Sequence, residues 1–401
     1  MTNNKKILML TRYGKKGASS RYRFYDLKSF FIKKGYICDI NPLLDDYYLT
    51  KRYGNNPMWR LSFLLGYLKR FLTINRMKNY DLVFIEKELF PYLPYWIEAI
   101  LLFRINYALD YDDAIFHSYS DGNKITKFIL GNKIKNLIGK SKLVVSGNDY
   151  LHDYAVQSGA PRSFILQTKV NLSLYDNVIV PKKKQFTIVW IGSPSTANYI
   201  QVVEKALVKF CNEFSAKFIM IGGKYHIDGL DVDYLDWSSE NEMQILKSCH
   251  VGIMPLFDKG WERGKCGFKL IQYMASQLPV VASPVGINKD MIEKGLNGYL
   301  ASSENDWFEA LSNIFHSNSQ MGQYGHSIVE KKHDLTKASE FLINEISDLL
   351  NEIENVDYLA PNLQTDFDIE RTNFGESIIS KNDNKYNQTS YSVITICLNC
   401  A

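Results

Sequence analysis

The stretch CGFKLIQYMASQLPVVASPVG, Cys266 to Gly286, places Gly267 at the head of an amphipathic helix. Lys265 and Lys269 flank that glycine, and Gln272 puts an amide in the second turn. A short apolar strand follows and ends in Ser-Pro-Val-Gly, 283–286. The free N–H groups and the positive dipole end of a helix N-terminus attract anions. A glycine there lets a phosphate approach the backbone, and two lysines add charge. A plain strand–helix turn with solvated lysines uses the same residue types, so both readings stand at this stage. A second loop, GKKGASSRYR (14–23), sets Arg21 and Arg23 at the start of another helix. Arginine at that end opposes the dipole, which calls for a compensating anion.

Three familiar phosphate and metal signatures are absent or broken. No GxGxxG follows the first strand, as a dinucleotide turn requires. IGKS (138–141) lacks the earlier glycine of a phosphate loop, since Ile134 stands there, and it reads as a helix ending at Gly139. DYDD (110–113) resembles the DxD metal clamp of some sugar transferases, but these acids end a strand. No metal or other cofactor is expected. Cys397 and Cys400 form one CxxC among six scattered cysteines, which suggests neither a zinc site nor a disulfide framework. A reducing, cytoplasmic setting is the expectation.

The 401 residues, 46% hydrophobic and 22% charged, suit two globular domains. Residues 1–150 hold 25 Lys and Arg against 13 Asp and Glu, and the rest hold 22 against 30, so a net charge of +4 hides a basic first half. Such a half fits an anionic partner or simply a surface with scattered lysines. Twelve apolar strands alternate with helices. Six are expected at 5–10, 37–44, 80–88, 106–114, 142–149 and 164–169, with helices near 20–34, 59–78, 94–103, 124–138 and 149–158. A polar, proline-containing stretch, 174–185, reads as a linker. Six more strands are expected at 186–192, 217–223, 232–237, 251–256, 279–283 and 297–301, followed by helices near 304–317 and 334–353. The pattern predicts an α/β protein of two Rossmann-like, doubly wound domains, 1–173 and 186–353, facing a cleft, with a tail at 354–401.

Five stretches in this order resemble the GT-B glycosyltransferases, specifically glycosyltransferase family 4: GASSRYRFYDL (17–27), LDYDDAIF (109–116), VVSGNDYLHDYA (144–155), IVWIGSPSTANYI (188–200) and the long run 261–301. The resemblance covers about residues 5–350. It implies a nucleotide-diphosphate sugar donor bound by the second domain and a saccharide or lipid-linked acceptor, as in surface polysaccharide assembly, with no nucleic acid. It also implies retention of anomeric configuration without a metal, the diphosphate leaving under electrostatic stabilisation. On the donor side it places Gly17, Lys265, Gly267, Phe268, Lys269 and Gly286, with Gln272 where the family has the ribose-binding second acid of E-x7-E. The first acid of that motif falls at Gly264, and Glu262 is the nearest stand-in. Arg21, Asp112 and Asp113 are assigned to phosphate and acceptor groups, and Asn148 is a further candidate. Where the family often has a basic pair, GSPSTANY (192–199) offers only Ser193, Ser195 and Thr196. The other readings are a degenerate transferase serving as scaffold or sugar-nucleotide sensor, and an epimerase on the same fold.

Two segments stand outside this scheme. MWRLSFLLGYLKRFLTINRMK (58–78) repeats Leu61, Leu64, Leu65, Leu68, Phe71 and Leu72 at helical spacing beside Arg60, Lys69, Arg70, Arg76 and Lys78. It reads either as an interfacial helix on anionic lipid or as a domain helix whose leucine face meets the sheet. Residues 355–388 read as a polar linker beginning after Glu354 and passing Asn382 and Asp383. SYSVITICLN (390–399) resembles the opening strand of a glycosyltransferase family 2 (GT-A) domain, cut short. An added edge strand is the other reading.

Overall fold

The computed structural model of the chain describes residues 5–363 apart from 55, 318 and 319. It divides into two compact units, Met1–Asn351 and Glu352–Ala401. The first unit holds two parallel six-stranded sheets. Sheet one contains β1 (Lys6–Tyr13), β2 (Ile37–Leu44), β3 (Leu82–Glu86), β4 (Tyr107–Tyr111), β5 (Leu143–Ser146) and β6 (Ser163–Ile165), in the order β2-β1-β3-β4-β5-β6. Sheet two contains β7 (Thr187–Ile191), β8 (Lys217–Ile221), β9 (Val232–Leu235), β10 (Val251–Met254), β11 (Val280–Ala282) and β12 (Gly298–Leu300), in the order β12-β11-β10-β7-β8-β9. Strand order reverses between β1 and β3 and between β7 and β10. In open parallel sheets the crevice for ligands forms at the carboxyl ends of such strands.

All twelve expected strands are present. Most stop short of the expected carboxyl end, because charged or small residues there turn into the connecting loops: β3 ends at Glu86 before Lys87, and β4 ends at Tyr111 before Asp112. The strands are apolar and covered on both faces, as in Leu82–Ile85 and Ile188–Trp190, all at most 1% exposed. The helix expected at 20–34 begins earlier, at Ala18–Ser20. It passes through a π turn, Arg21–Tyr25, before Asp26–Lys33. The helix expected at 124–138 is two helices, Lys124–Leu130 and Lys133–Ile138, interrupted at Gly131 and Asn132; the second is capped at Gly139. Asp46–Tyr53 is a helix that polar DYYLTKRY does not announce; the Asp45 side chain caps it by accepting from the Tyr48 amide.

The helix that begins at Leu335 returns to the edge of sheet one. Phe341 meets Phe164 edge-on at 5.2 Å, and Arg162 pairs with Glu345 at 2.8 Å. This helix continues to Leu363, past the expected 353, so the linker expected from 355 is helical in its first part. The strand-like run 390–399, with Cys397 and Cys400, lies outside the described residues. The four described cysteines, Cys38, Cys211, Cys249 and Cys266, are buried and free. No helix among the described residues is long and apolar enough to cross a membrane.

Candidate functional site

The loops after β4 and β5 in the first domain meet the loop and helix around Gly260–Arg263 in the second at very close range. A Cβ at Gly264 would stand 2.4 Å from the Ala114 Cβ, and one at Gly147 would stand 2.2 Å from the Cys266 sulfur. The Cys266 thiol donates to the Asp112 carbonyl at 3.1 Å. Asn148 caps helix Asp149–Gln157 by accepting from the Leu151 amide at 2.9 Å, and its Nδ2 donates to the Lys265 carbonyl at 3.0 Å. Asn148 therefore ties the two domains together.

A charge cluster lies on this seam. Lys87 follows β3 with a left-handed backbone, φ 68°, an uncommon choice for a side-chain-bearing residue. Its ammonium pairs with Asp112 at 2.8 Å and Asp113 at 3.0 Å. Burial alone would lower the Lys87 pKa, but Asp112, Asp113 and Glu86 overcome it and hold the lysine well above its ordinary value. Lys265 reaches Asp113 from the second domain at 3.4 Å. Burial works against the Asp113 charge, yet Lys87 and Lys265 hold its carboxyl well below the usual range. Asp110 is spent elsewhere. It receives a two-pronged contact from Arg23, at 2.5 and 2.6 Å, while Arg23 also donates to the Leu166 carbonyl. Arg23, 4% exposed, is thus a structural cation rather than a free phosphate ligand. Among the described residues no group of three or more His, Cys, Asp or Glu is arranged to hold a metal ion.

Arg21 finds its compensating anion inside the protein. Its guanidinium lies over the Tyr22 ring at 4.5 Å and the Trp237 ring at 4.9 Å, and its Nη2 is 3.9 Å from Glu242. Glu242, in the first turn of helix Glu242–Ser248, accepts from the Tyr22 hydroxyl at 3.1 Å, from the Trp237 indole N–H and from Gln272 Nε2 at 3.4 Å. Gln272 is 4% exposed, so its amide faces this buried carboxylate. Phe268 packs its ring on Tyr22 at 4.3 Å. Sequence reading missed Glu242. It sits in a polar segment, SSENEM, with no spacing to mark it, and only the fold brings it to Gln272.

Gly267 has φ 66° and caps helix Phe268–Ala275; a Cβ there would meet the Met291 sulfur at 2.4 Å. Gly286 has φ 52°, and its Cβ would strike the Arg263 carbonyl at 2.7 Å, so the SPVG loop packs directly on the Gly260–Arg263 segment. Lys269 extends from the first turn of the Phe268 helix to 5.7 Å from the centre of the Trp190 ring on β7. That ring covers Gly192, whose added Cβ would lie 2.5 Å from it. The Lys269 ammonium therefore lies beside the loop after β7. There Ser193 Oγ contacts Ser195 Oγ at 2.9 Å, and Thr196 Oγ1 donates to the Ser193 carbonyl at 3.0 Å. Loss of water around the ammonium, reinforced by the charge of Lys265, pushes Lys269 down to about 7. Glu262, 7% exposed, accepts from the Tyr199 hydroxyl at 2.7 Å through one oxygen, and its other oxygen has no partner in the protein. Gly17 is also buried, with no room for a Cβ beside Tyr13.

The seam thus gathers Asp112, Asp113, Lys265, Gly267, Glu262 and Gly286. Ser193, Thr196 and Lys269 lie at the loop after β7, and Arg21, Phe268 and Gln272 form an adjoining patch centred on Glu242. Residues 185–317 match the family model described as Glycosyl transferases group 1. No curated protein sequence matches the chain. Among solved structures, HepE of Anabaena in complex with UDP-glucose superposes with a TM-score of 0.64 at 15% identity, covering 86% of this chain and 99% of that one. Sucrose-phosphate synthase of Thermosynechococcus elongatus gives 0.62 at 13% identity, covering 87% and 100%. A glycosyltransferase of Rickettsia africae gives 0.61 at 13%, covering 87% and 99%. The two sheets and their strand orders are those of the GT-B fold shared with these solved structures, and the group 1 glycosyltransferase match falls on the second domain.

Proposed function

We propose that the chain transfers a sugar, with retention of configuration, from a nucleoside-diphosphate sugar to a saccharide or lipid-linked acceptor in surface polysaccharide assembly. A UDP-linked sugar is the first donor to try, since HepE was crystallised with UDP-glucose. The observation that carries the reading is the position of Lys269. The loop after β7 has no basic residue, yet the Lys269 ammonium reaches its edge.

In this reading the diphosphate lies between the N-terminus of the Phe268 helix and the Ser193–Thr196 loop. The amides near Gly267 and the ammonium groups of Lys269 and Lys265 take up charge as the phosphate departs. Asp113, held ionised by Lys87 and Lys265, orients an acceptor hydroxyl with Asp112, and the departing phosphate takes the proton. Each acid of DYDD already faces a cation, which supports a reaction without a metal. Gln272 and Glu242 together offer an amide and a carboxylate to the ribose diol once Arg21 and Tyr22 withdraw. The test is release of nucleoside diphosphate from a panel of donors with saccharide acceptors, followed by proton NMR of the product's anomeric centre. Transfer with retention supports the proposal. Donor binding with neither transfer nor hydrolysis favours a sensor or scaffold, and an inverted product overturns the mechanism.

A further inference from the structure

The strand order of sheet one fixes where its helices lie. The connections β2 to β3, β3 to β4 and β4 to β5 all run across the sheet in the same direction, and the connection β1 to β2 runs the other way. Right-handed crossovers therefore put helices Trp59–Met77, Tyr95–Leu101 and Lys124–Leu130 on one face. Contacts along the layer join them. The Tyr67 hydroxyl donates to the Pro91 carbonyl at 2.9 Å, and the Tyr119 hydroxyl accepts from the Tyr92 amide at 3.1 Å. Lys133 pairs with Glu88 at 2.8 Å and with Glu98, on the middle helix, at 2.7 Å.

The outer side of this layer is apolar and open. Helix Trp59–Met77 meets the sheet through a stripe containing Gly66, Arg70 and Met77, all buried. A Cβ at Gly66 would lie 2.2 Å from the Leu43 carbonyl. Arg70, counted among the cations of the interfacial reading, instead enters the core, donates to the carbonyls of Thr11 and Asn41, and is pushed down to about 9 by burial. The leucine stripe points the opposite way, so it does not meet the sheet: Leu64 is 57% exposed, Leu68 54% and Leu72 71%. Trp96 (62%), Ile100 (67%) and Phe128 (91%) continue the patch on the two other helices. Sixteen of the 25 exposed large apolar side chains among the described residues fall between Tyr47 and Ile129. A soluble surface seldom exposes so many along one stretch of helices without a partner to cover them.

Charge selects the partner. Residues 47–80 contain seven Lys and Arg, of which Arg70 is buried, and no Asp or Glu, and residues 122–148 contain six Lys, of which Lys133 is buried, and no acid. Between them, residues 89–109 contain one acid, Glu98, which is fully buried against Lys133. Apolar side chains flanked by exposed cations, which outnumber the nearby exposed acid Asp121, match an anionic bilayer surface. We propose that this three-helix face, not the Trp59–Met77 helix alone, docks the enzyme on anionic lipid membranes. The interaction does not depend on the sugar chemistry and persists in a catalytically dead chain.

Flotation of the full chain with vesicles tests it, using pure phosphatidylcholine and phosphatidylcholine mixed with phosphatidylglycerol. Binding to the anionic vesicles, weakened by salt and nearly absent on the neutral ones, is expected. The triple variant Leu68→Ser, Leu72→Ser, Phe128→Ser removes only exposed side chains and should keep the native circular dichroism while lowering partitioning by roughly tenfold or more. Lys69→Glu with Arg76→Glu should abolish the preference for anionic lipid. Equal binding to both vesicle types, or to neither, overturns the proposal. So does a stable dimer in solution that the triple variant dissociates, since a second copy then covers the face.

Discussion

Gly264 and Ala114 lie so close that a Cβ on Gly264 would sit 2.4 Å from the alanine Cβ and 2.8 Å from its backbone nitrogen. The resemblance to glycosyltransferase family 4 leads one to expect an acid where this chain has Gly264. The contact supplies the physical reason for the departure: the loop after β4 occupies the space that side chain would need. Glu262, two residues earlier, accepts from the Tyr199 hydroxyl through one oxygen.

Gly264→Ala should accordingly destabilise the chain by about 1–3 kcal/mol through overpacking against backbone. Urea unfolding measures it. A variant as stable as the parent contradicts the close packing of the two domains.

Glu242 joins the domains through three hydrogen-bond donors and the nearby charge of Arg21. Glu242→Ala leaves Tyr22, Trp237 and Gln272 short of an acceptor and removes the anion beside Arg21, and should cost about 1–3 kcal/mol per donor left buried and unpaired, partly relieved where water enters. Thermal unfolding reads the loss. Arg21→Ala frees the carboxylate and should leave a smaller deficit, because Tyr22, Trp237 and Gln272 still donate to it. A larger loss for Arg21→Ala than for Glu242→Ala would place the hub on the arginine.

Glu86 closes β3 at the switch point of sheet one. One oxygen accepts from Ser20 Oγ at 2.6 Å and from the Arg12 amide at 2.8 Å, and the other has no partner in the protein. Burial pushes its carboxyl up to about 7. The folded state therefore binds this proton more tightly than the unfolded chain. The stability it contributes is full below the usual carboxylate range and is lost as pH rises through about 7. Glu86→Gln should flatten the fall in stability between about pH 5 and pH 8, a difference on the order of 2–3 kcal/mol. Parallel pH–stability curves for mutant and parent would show that Glu86 titrates normally.

The strands were legible in the sequence because parallel strands covered on both faces leave continuous apolar runs such as FTIVWIG and KLVVSG. The glycine-headed helix at 267 was legible because the turn needs a left-handed residue there. Arg21 and Gln272 were assigned individually, but their shared partner Glu242 was not visible, since it lies 221 and 30 residues away in the chain and carries no motif. Helix Trp59–Met77 was read correctly as a helix. Which of its stripes meets the sheet was not legible, because apolar residues cover most of the circumference and one buried arginine, Arg70, decides the orientation.

The most direct test of the account is donor affinity as a function of pH. Isothermal titration of the intact chain with a UDP-sugar, extended to other nucleoside-diphosphate sugars if needed, should be compared with Lys269→Met. Burial pushes Lys269 down to about 7, and a bound diphosphate favours its charged form. Affinity of the parent should hold below about pH 7 and fall as pH rises above it, while Lys269→Met binds roughly tenfold or more weakly and shows no such fall. A parent and mutant with equal affinity and the same pH profile would contradict the placement of the diphosphate at the head of the Phe268 helix.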